Sequence, residues 1–426
     1  ISDPAFYLQH ADYVCTGEGE IFLHEFLKQI EQGLPLHHVR GMAYRTADGN
    51  MVTNPSIDMV NVNEIPLPLL DMDNIYLLNP SGLVSGKEHR DEVLQQAVKK
   101  YGFRVFQVRG CPFRCTFCAN STLAEANKGQ YKLRGFTPER IVEELLEAKR
   151  LVPGLEKVMF YEDDFLARTL KDFKELIDHY NKHIGLAINA NATMRQVSEE
   201  KIDYVLDSGV KFDFLKIGLQ SASQRVNKEL YKRPFKRQEF LDKLPMLLHR
   251  KIPVIMDMIA ENPFETVADK AENLEFFADL SENLSEVHEP WKYVAFMDHK
   301  LMYYPGTPMY VQALENGYID ENYVEDVLLK RKTTRTKRDF DIDKITLGLF
   351  NLSLKHKKVV WTLRLLTFKP LLWLVIKTLK VPGIPFLMVK VKSLLKVMLK
   401  RTKAASSRLL EVKALRGEAN VRLSQG

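Results

Sequence analysis

The chain has 426 residues, 45% of them hydrophobic and 27% charged, with a formal net charge of +6. That length and apolar content support a buried core in two or three structural units and exclude a disordered chain. Four cysteines, three of them within eight residues, argue against a disulfide framework and for a reducing, cytoplasmic compartment. No basic stretch leading into a long apolar run opens the chain at Ile1, so no secretory signal is expected.

The first segment runs from the short apolar stretch Tyr13-Val14-Cys15 into a Gly17-Glu18-Gly19-Glu20 turn and then an amphipathic helix, with Ile21, Phe22, Phe26, Leu27 and Ile30 on its apolar face. It reads as the end of an α/β unit, with Cys15 as a buried strand residue. A hairpin follows, with Ala47-Asp48-Gly49-Asn50 as its turn. The prolines of Ile65-Pro66-Leu67-Pro68 then predict an extended connector.

From Tyr101 onward apolar strands alternate with amphipathic helices. Strands are expected over 105–108, 158–161, 186–189, 214–219, 254–259 and 293–297, and helices over 138–151, 170–183, 199–208, 238–250 and 267–280. Such alternation makes a parallel sheet with right-handed crossovers, in which loops at the strands' C-terminal ends carry the chemistry. The loop after the first strand reads Cys111-Pro112-Phe113-Arg114-Cys115-Thr116-Phe117-Cys118. Thiolates are the soft ligands that iron–sulfur clusters and zinc both select. A closed zinc site needs a fourth ligand, such as a distant His89 or His299, and three structural thiols are a further reading.

The C-x3-C-x2-C loop resembles the signature of the radical SAM superfamily. The resemblance implies that Cys111, Cys115 and Cys118 hold a 4Fe-4S cluster whose open iron binds S-adenosylmethionine (SAM), with Phe117 typical of the motif. It also implies an α/β fold: a partial (β/α)6 barrel over residues 101–317. The GEGE turn resembles the end of the Rossmann-like cobalamin-binding domain that precedes many such barrels, making residues 1–40 its remnant and 41–100 a hairpin and linker. The Asp-x-His-x-x-Gly motif that ligates cobalt in that family is absent, and would lie upstream of Ile1.

Further matches fall at strand ends. Glu162, Asp163 and Asp164 stand where the superfamily holds the SAM amino group, and carboxylates there can accept from an ammonium. Asn189, Asn191 and Arg195 follow the third strand, Arg195 as a partner for the SAM carboxylate or a substrate anion. Gln220 and Ser221 resemble part of "GIESGS", near the ribose. Glu265 lies in Glu261-Asn262-Pro263-Phe264-Glu265-Thr266 against a family "GLPGET", with both glycines replaced. Tyr304-Pro305-Gly306-Thr307-Pro308 matches the "PGTP" turn that closes many cobalamin-linked barrels.

No acidic residue lies between Asp343 and Glu411, while Lys and Arg recur among Trp and Leu. The longest apolar run, 371–376, falls short of the ~20 residues of a spanning helix. Residues 318–426 are therefore expected as a basic helical region lying at an anionic membrane surface, or as a helical subdomain packed on the barrel; the apolar content argues against nucleic acid.

The resemblance implies a radical SAM enzyme that makes a 5′-deoxyadenosyl radical and transfers a methyl group, with cobalamin, to an unactivated carbon of a small-molecule or lipid-like substrate. A flavodoxin or ferredoxin would be the reductant. The alternatives are an oxidative cyclase resembling the magnesium-protoporphyrin monomethyl ester enzyme and, from another class, a zinc-holding peripheral membrane scaffold.

Overall fold

The computed structural model describes residues 4–69, 75–79, 82–127, 131–330 and 341–380. A helical turn α1 (Pro4–Tyr7) precedes β1 (Tyr13–Cys15) and α2 (Gly19–Glu31), whose Phe22 is buried. β2 (Met42–Arg45) and β3 (Met51–Thr53) form the expected hairpin, and β2 also pairs antiparallel with β1. The hairpin thus shares a three-stranded sheet with the N-terminal segment. Cys15 is partly exposed, and its thiol lies 3.6 Å from the Gly17 carbonyl. The stretch read as a connector also contains a second hairpin, β4 (Tyr76–Asn79) with β5 (Gly82–Ser85), and α3 (Arg90–Val98).

The barrel strands are β6 (Phe103–Val105), β9 (Lys157–Phe160), β10 (Ala187–Ala192), β11 (Phe212–Gln220), β12 (Val254–Ala260) and β13 (Val294–Lys300). They form one parallel sheet in sequential order, with β6 and β13 as its edges. Between β6 and β9 lie a short ribbon, β7 (Val108–Arg109) with β8 (Arg134–Gly135), α4 (Ala119–Ala126) and α5 (Pro138–Leu151). The crossover helices are α6 (Leu170–His183), α7 (Glu199–Asp207), α8 (Arg237–His249) and α9 (Val267–Asn283). Thr137, Thr169, Ser198 and Thr266 accept from the third backbone N–H of α5, α6, α7 and α9, so each start coincides with a capping hydroxyl. Four strands run beyond the expected 186–189, 214–219, 254–259 and 293–297, because the residues past those ends, Ala190 to Ala192, Gln220, Ala260 and Asp298 to Lys300, still pair in the ladder.

One sheet face is covered by helices. Phe160, Ile188, Ala190, Leu215, Ile217, Leu219, Val254, Met256 and Met258 belong to the main core cluster with Leu244, Leu274 and Phe277 of the crossover helices. Strand alternation then sends Asn189, Asn191, Lys216, Gly218, Gln220 and Asp257 to the inner face. Gly102 sets the start of this sheet: its φ is +84°, and an added Cβ would fall 2.2 Å from the Lys157 carbonyl oxygen.

After α10 (Pro308–Glu315), α11 (Ile342–Ser353), α12 (Val360–Leu366) and α13 (Lys369–Leu379) pack on the barrel. Leu363 and Leu372 are fully buried, and Arg364 bonds Asp279 at 2.6 Å and Glu282 at 2.8 Å on α9. Packing therefore holds this region to the barrel while Trp361, Phe368, Trp373 and Leu374 remain exposed. No single described helix is long and apolar enough to cross a membrane; the bent pair 357–366 and 369–379, turning by 88°, passes that test together. The second apolar-basic helix expected over 386–399 lies outside the described residues.

Gly102→Ala should cost on the order of 3 kcal/mol by combining backbone strain with overpacking, read as a drop in the chemical-denaturation midpoint. Asp269 supplies a pH-dependent term. Burial alone would raise its pKa, but Arg225 at 2.5 Å, Ser223 at 2.7 Å and Thr266 hold it at about 2. Because the folded pKa is depressed, the stabilisation, on the order of 1 kcal/mol, is present above about pH 4 and lost as pH falls towards 2. The stability gap between wild type and Asp269→Asn should accordingly close over that acid range.

Candidate functional site

The cysteine loop leaves β7 at Arg109 and enters α4, with Cys118 as the residue before its first turn. Gly110 takes φ +101°, a left-handed value that lets the chain turn into Cys111. Backbone bonds then pin the loop across the barrel. The Thr116 N–H donates to the Tyr231 carbonyl at 3.0 Å, its hydroxyl to Leu230 at 2.6 Å, and its own carbonyl accepts from Met309 at 3.0 Å. Tyr131 accepts from the Cys111 N–H at 3.0 Å, and Thr122 of α4 donates to Gly306 of the PGTP turn at 3.0 Å. Phe117 packs edge-on against Tyr231, ring centres 5.0 Å apart, within a second apolar cluster.

All three thiols are free. Burial pushes Cys111 up to about 12 and raises Cys118, against N–H groups of Phe113 and Asn120 that favour the thiolate. Burial thus favours the protonated form at Cys111 and Cys118, and a cationic group that binds there must displace those protons, as soft-metal binding requires. Arg233 places Nη1 3.8 Å from Cys115 Sγ and donates through Nη2 to the Gly218 carbonyl at 3.0 Å. Three free thiols on one loop, with backbone N–H groups aimed at sulfur, fit a cluster that takes three protein ligands. Among the described residues no three Cys, His, Asp or Glu side chains converge on a single-ion position. The two distant candidates are engaged elsewhere, His89 3.7 Å from Glu92 and His299 3.2 Å from Asp257.

The acidic triplet after β9 divides into three environments. Asp163 accepts from Asn120 at 2.7 Å, is raised by burial, and lies within electrostatic range of Cys111 and Cys118. Glu162 is buried and accepts from Gln107 at 2.9 Å; burial pushes it up to about 7 against the opposing hydrogen bonds and the charge of Arg168. Asp164, raised to about 6 by burial, accepts from Thr193 at 2.5 Å and from the Leu166 N–H at 3.1 Å.

The remaining positions also separate. Asn189 is fully buried and donates to the Tyr101 carbonyl at 2.9 Å, which makes it a plug between strand and preceding turn. Asn191 donates to the Glu162 carbonyl at 3.0 Å, whereas Arg195 is exposed. Gln220 ends β11 at φ +66°. Ser221 donates to Glu265 at 3.0 Å, which brings these two side chains together. Glu265 is buried, raised by burial, and bonded to Lys270, which also reaches Asp343 of α11 at 2.7 Å. Glu261, in place of a family glycine, adopts φ +54°, so the left-handed turn survives at a cost of about 1 kcal/mol in strain.

Sequence reading missed Arg233, Tyr131, Lys270 and Asp343. Arg233 lies in a plain Lys-Arg-Pro stretch that gives no local signal. Beside the cysteine loop a cavity of about 450 Å³ is lined by Glu18, Arg109, Tyr131, Arg134, Tyr161 and Asp163. Its volume suits a drug-sized molecule and takes only part of a corrinoid with its nucleotide tail.

Residues 106–277 match the model of the radical SAM superfamily. An uncharacterized methyltransferase of Pyrococcus horikoshii is 28% identical over 218 residues, 50% of this chain and 41% of that protein. The cytidylyl-2-hydroxyethylphosphonate methyltransferase of Streptomyces wedmorensis is 27% identical over 238 residues, 52% and 43% of the two chains. The chain thus spans about two fifths of the length of these relatives. Among solved structures, apo OxsB, a cobalamin-dependent SAM radical enzyme, superposes with a TM-score of 0.54 at 16% identity, covering 75% of this chain and 47% of that one. TsrM of Kitasatospora setae, a radical SAM methyltransferase, gives 0.51 at 15% identity over 72% and 54%. At these identities the likeness is one of fold. The cysteine loop lies inside the matched span, so residues 106–277 carry a radical SAM domain, and the parallel sheet has the fold of these enzymes.

Proposed function

We propose that this chain is the SAM-cleaving part of a methyltransferase acting on an unactivated carbon. The observation that carries the reading is the cysteine loop: three free thiols in the connection that follows the first barrel strand, just beyond β7, with Arg233 beside Cys115. Cys111, Cys115 and Cys118 would hold the 4Fe-4S cluster, which when bound supplies the single electron that cleaves SAM. Asp163 is the carboxylate best placed for the SAM ammonium, and Gln220, Ser221 and Glu265 line the ribose side. Phe117 and Tyr231 hold the loop and exclude water from it. A flavodoxin or ferredoxin would be the reductant, in a reducing compartment such as the cytoplasm.

Methyl transfer is supported by the names of both curated relatives. Cobalamin is proposed as the methyl carrier because OxsB and TsrM bind it and because the cavity beside Glu18 adjoins the cysteine loop. The Asp-x-His-x-x-Gly sequence does not occur in the 426 residues, so no cobalt ligand of that type is assigned to this chain.

We also propose that the α12–α13 corner rests on an anionic membrane surface, giving access to a lipid-like substrate. Exposed Trp361, Phe368, Trp373 and Leu374 beside Lys369 and Lys377 support this, with Lys377 5.2 Å over the Trp373 ring.

Anaerobic reconstitution with iron and sulfide, followed by SAM and dithionite, should yield 5′-deoxyadenosine. Cys115→Ala should lose iron and all product; product retained by that variant would refute the cluster assignment. Joint Trp361→Ser and Trp373→Ser substitution should weaken co-sedimentation with phosphatidylglycerol vesicles by about tenfold or more without changing the melting temperature. Equal sedimentation would remove the membrane reading.

A further inference from the structure

The inner face of the sheet carries a polar row that none of the cofactor assignments uses. Lys216 of β11 lies directly across from Asn191 of β10 and Ile255 of β12. Its Nζ bonds Asp257 Oδ2 on β12 at 2.8 Å, and the other Asp257 oxygen takes Nε2 of His299 on β13 at 3.2 Å. Three adjacent strands thus contribute a lysine, an aspartate and a histidine to one connected group. Their sequence neighbours Leu215, Ile217, Met256 and Met258 are buried against the helices, so the row faces away from the core.

Inward positions of a barrel are ordinarily filled by branched apolar side chains in layers. An ion pair there is a poor packing solution, since desolvating both charges offsets most of their attraction. Asp257 is 16% exposed, Lys216 27% and His299 47%, so the row is open to solvent on the inner face, most of all at His299. The free valences have one character. Both Asp257 oxygens are occupied, whereas among the described residues the other two N–H groups of Lys216 and Nδ1 of His299 have no protein partner. What remains is a pair of nitrogen groups, cationic when His299 is protonated, with no free carboxylate oxygen between them. Such a set receives an oxygen acceptor.

The row also lies close to the reacting centre. Gly218, two residues beyond Lys216 on β11 and so about 7 Å along the strand, holds Arg233, which touches Cys115.

We propose that Lys216 and His299, both held by Asp257, form a substrate subsite for an oxyanion: a phosphate, phosphonate or carboxylate group carried by the molecule whose carbon reacts. The proposal rests on the reading of the inner face as the substrate chamber of a SAM-cleaving enzyme. Lys216 supplies charge and two donors, His299 adds a third donor in its imidazolium form, and Asp257 fixes both side chains so that little rotamer freedom is lost on binding.

The test titrates inorganic phosphate, and separately acetate, into the reconstituted full chain labelled with 15N-histidine, with the His299 imidazole signals identified through His299→Gln. A saturable shift of those signals is expected with at least one anion, and which anion saturates at lower concentration distinguishes a phosphoryl from a carboxylate group. Lys216→Gln should weaken that binding about ten- to hundredfold, the effect of losing a charged hydrogen-bond donor. Lys216→Arg should restore most of it. Asp257→Asn should tighten binding, because Lys216 then loses its internal counter-charge; a merely structural role would weaken binding in both variants. Absence of a saturable shift in the wild type, or an unchanged one in Lys216→Gln, overturns the subsite, and the wild-type titration decides even if a variant misfolds. SAM cleavage in the same preparation separates the two readings. Cleavage without anion binding removes the subsite alone, and anion binding without cleavage removes the proposed activity alone.

Discussion

Two guanidinium groups face each other at the root of the cysteine loop, and the site depends on how that repulsion is resolved. Arg109 of β7 and Arg134 of β8 are register partners on a two-stranded ribbon, an arrangement that like charges destabilise. The carboxylates that balance them come from the GEGE turn, 89 residues before Arg109 for Glu20 and 116 before Arg134 for Glu18. Glu18 accepts from both terminal nitrogens of Arg134, at 2.6 and 2.7 Å, and Glu20 meets Arg109 at 2.6 Å. Burial alone would raise the Glu18 pKa, but Arg134, the Val60 N–H and Arg109 together lower it. This four-charge clamp joins the N-terminal sheet to the strand that delivers Cys111. It also walls the cavity beside the loop, which makes the GEGE turn part of the site rather than a domain boundary passing near it.

A second joint links the C-terminal helices to the opposite side of the mouth. Lys270 sits between Glu265 and Asp343, and Asp343 Oδ2 also accepts from the Glu261 N–H at 3.3 Å. Burial on its own would discharge Lys270, but two adjacent carboxylates raise its pKa instead. The turn that carries Glu261 at positive φ is thereby held from both the barrel and α11, and removing either partner would leave a buried charge without compensation. The C-terminal region is thus a structural neighbour of the strand-end turn that carries Glu261 and Glu265.

Much of this architecture was legible in the chain. Helices over 138–151 and 170–183 begin and end as expected, because their apolar periodicity and capping threonines agree. The cysteine spacing placed three thiols on one loop without reference to any partner. Side-chain assignments fared less evenly. Asn189 has the right position in the chain for the mouth, yet its side chain is spent on the Tyr101 carbonyl. Glu162, Asp163 and Asp164 are identical in motif terms and differ only through burial and through Gln107, Asn120 and Thr193.

The sequence by itself determined the local terms: which segments are helix or strand, where the turns fall, and which loop carries soft ligands. These depend on contacts a few residues apart, which periodicity and turn chemistry report directly. Tertiary structure alone decided the electrostatics. Glu18 with Arg134, Arg233 with Cys115, Lys270 with Asp343 and Lys216 with Asp257 are separated by 41 to 118 positions. Charge interactions depend on distance and burial in space, and neither has a signature in the spacing of residues along the chain.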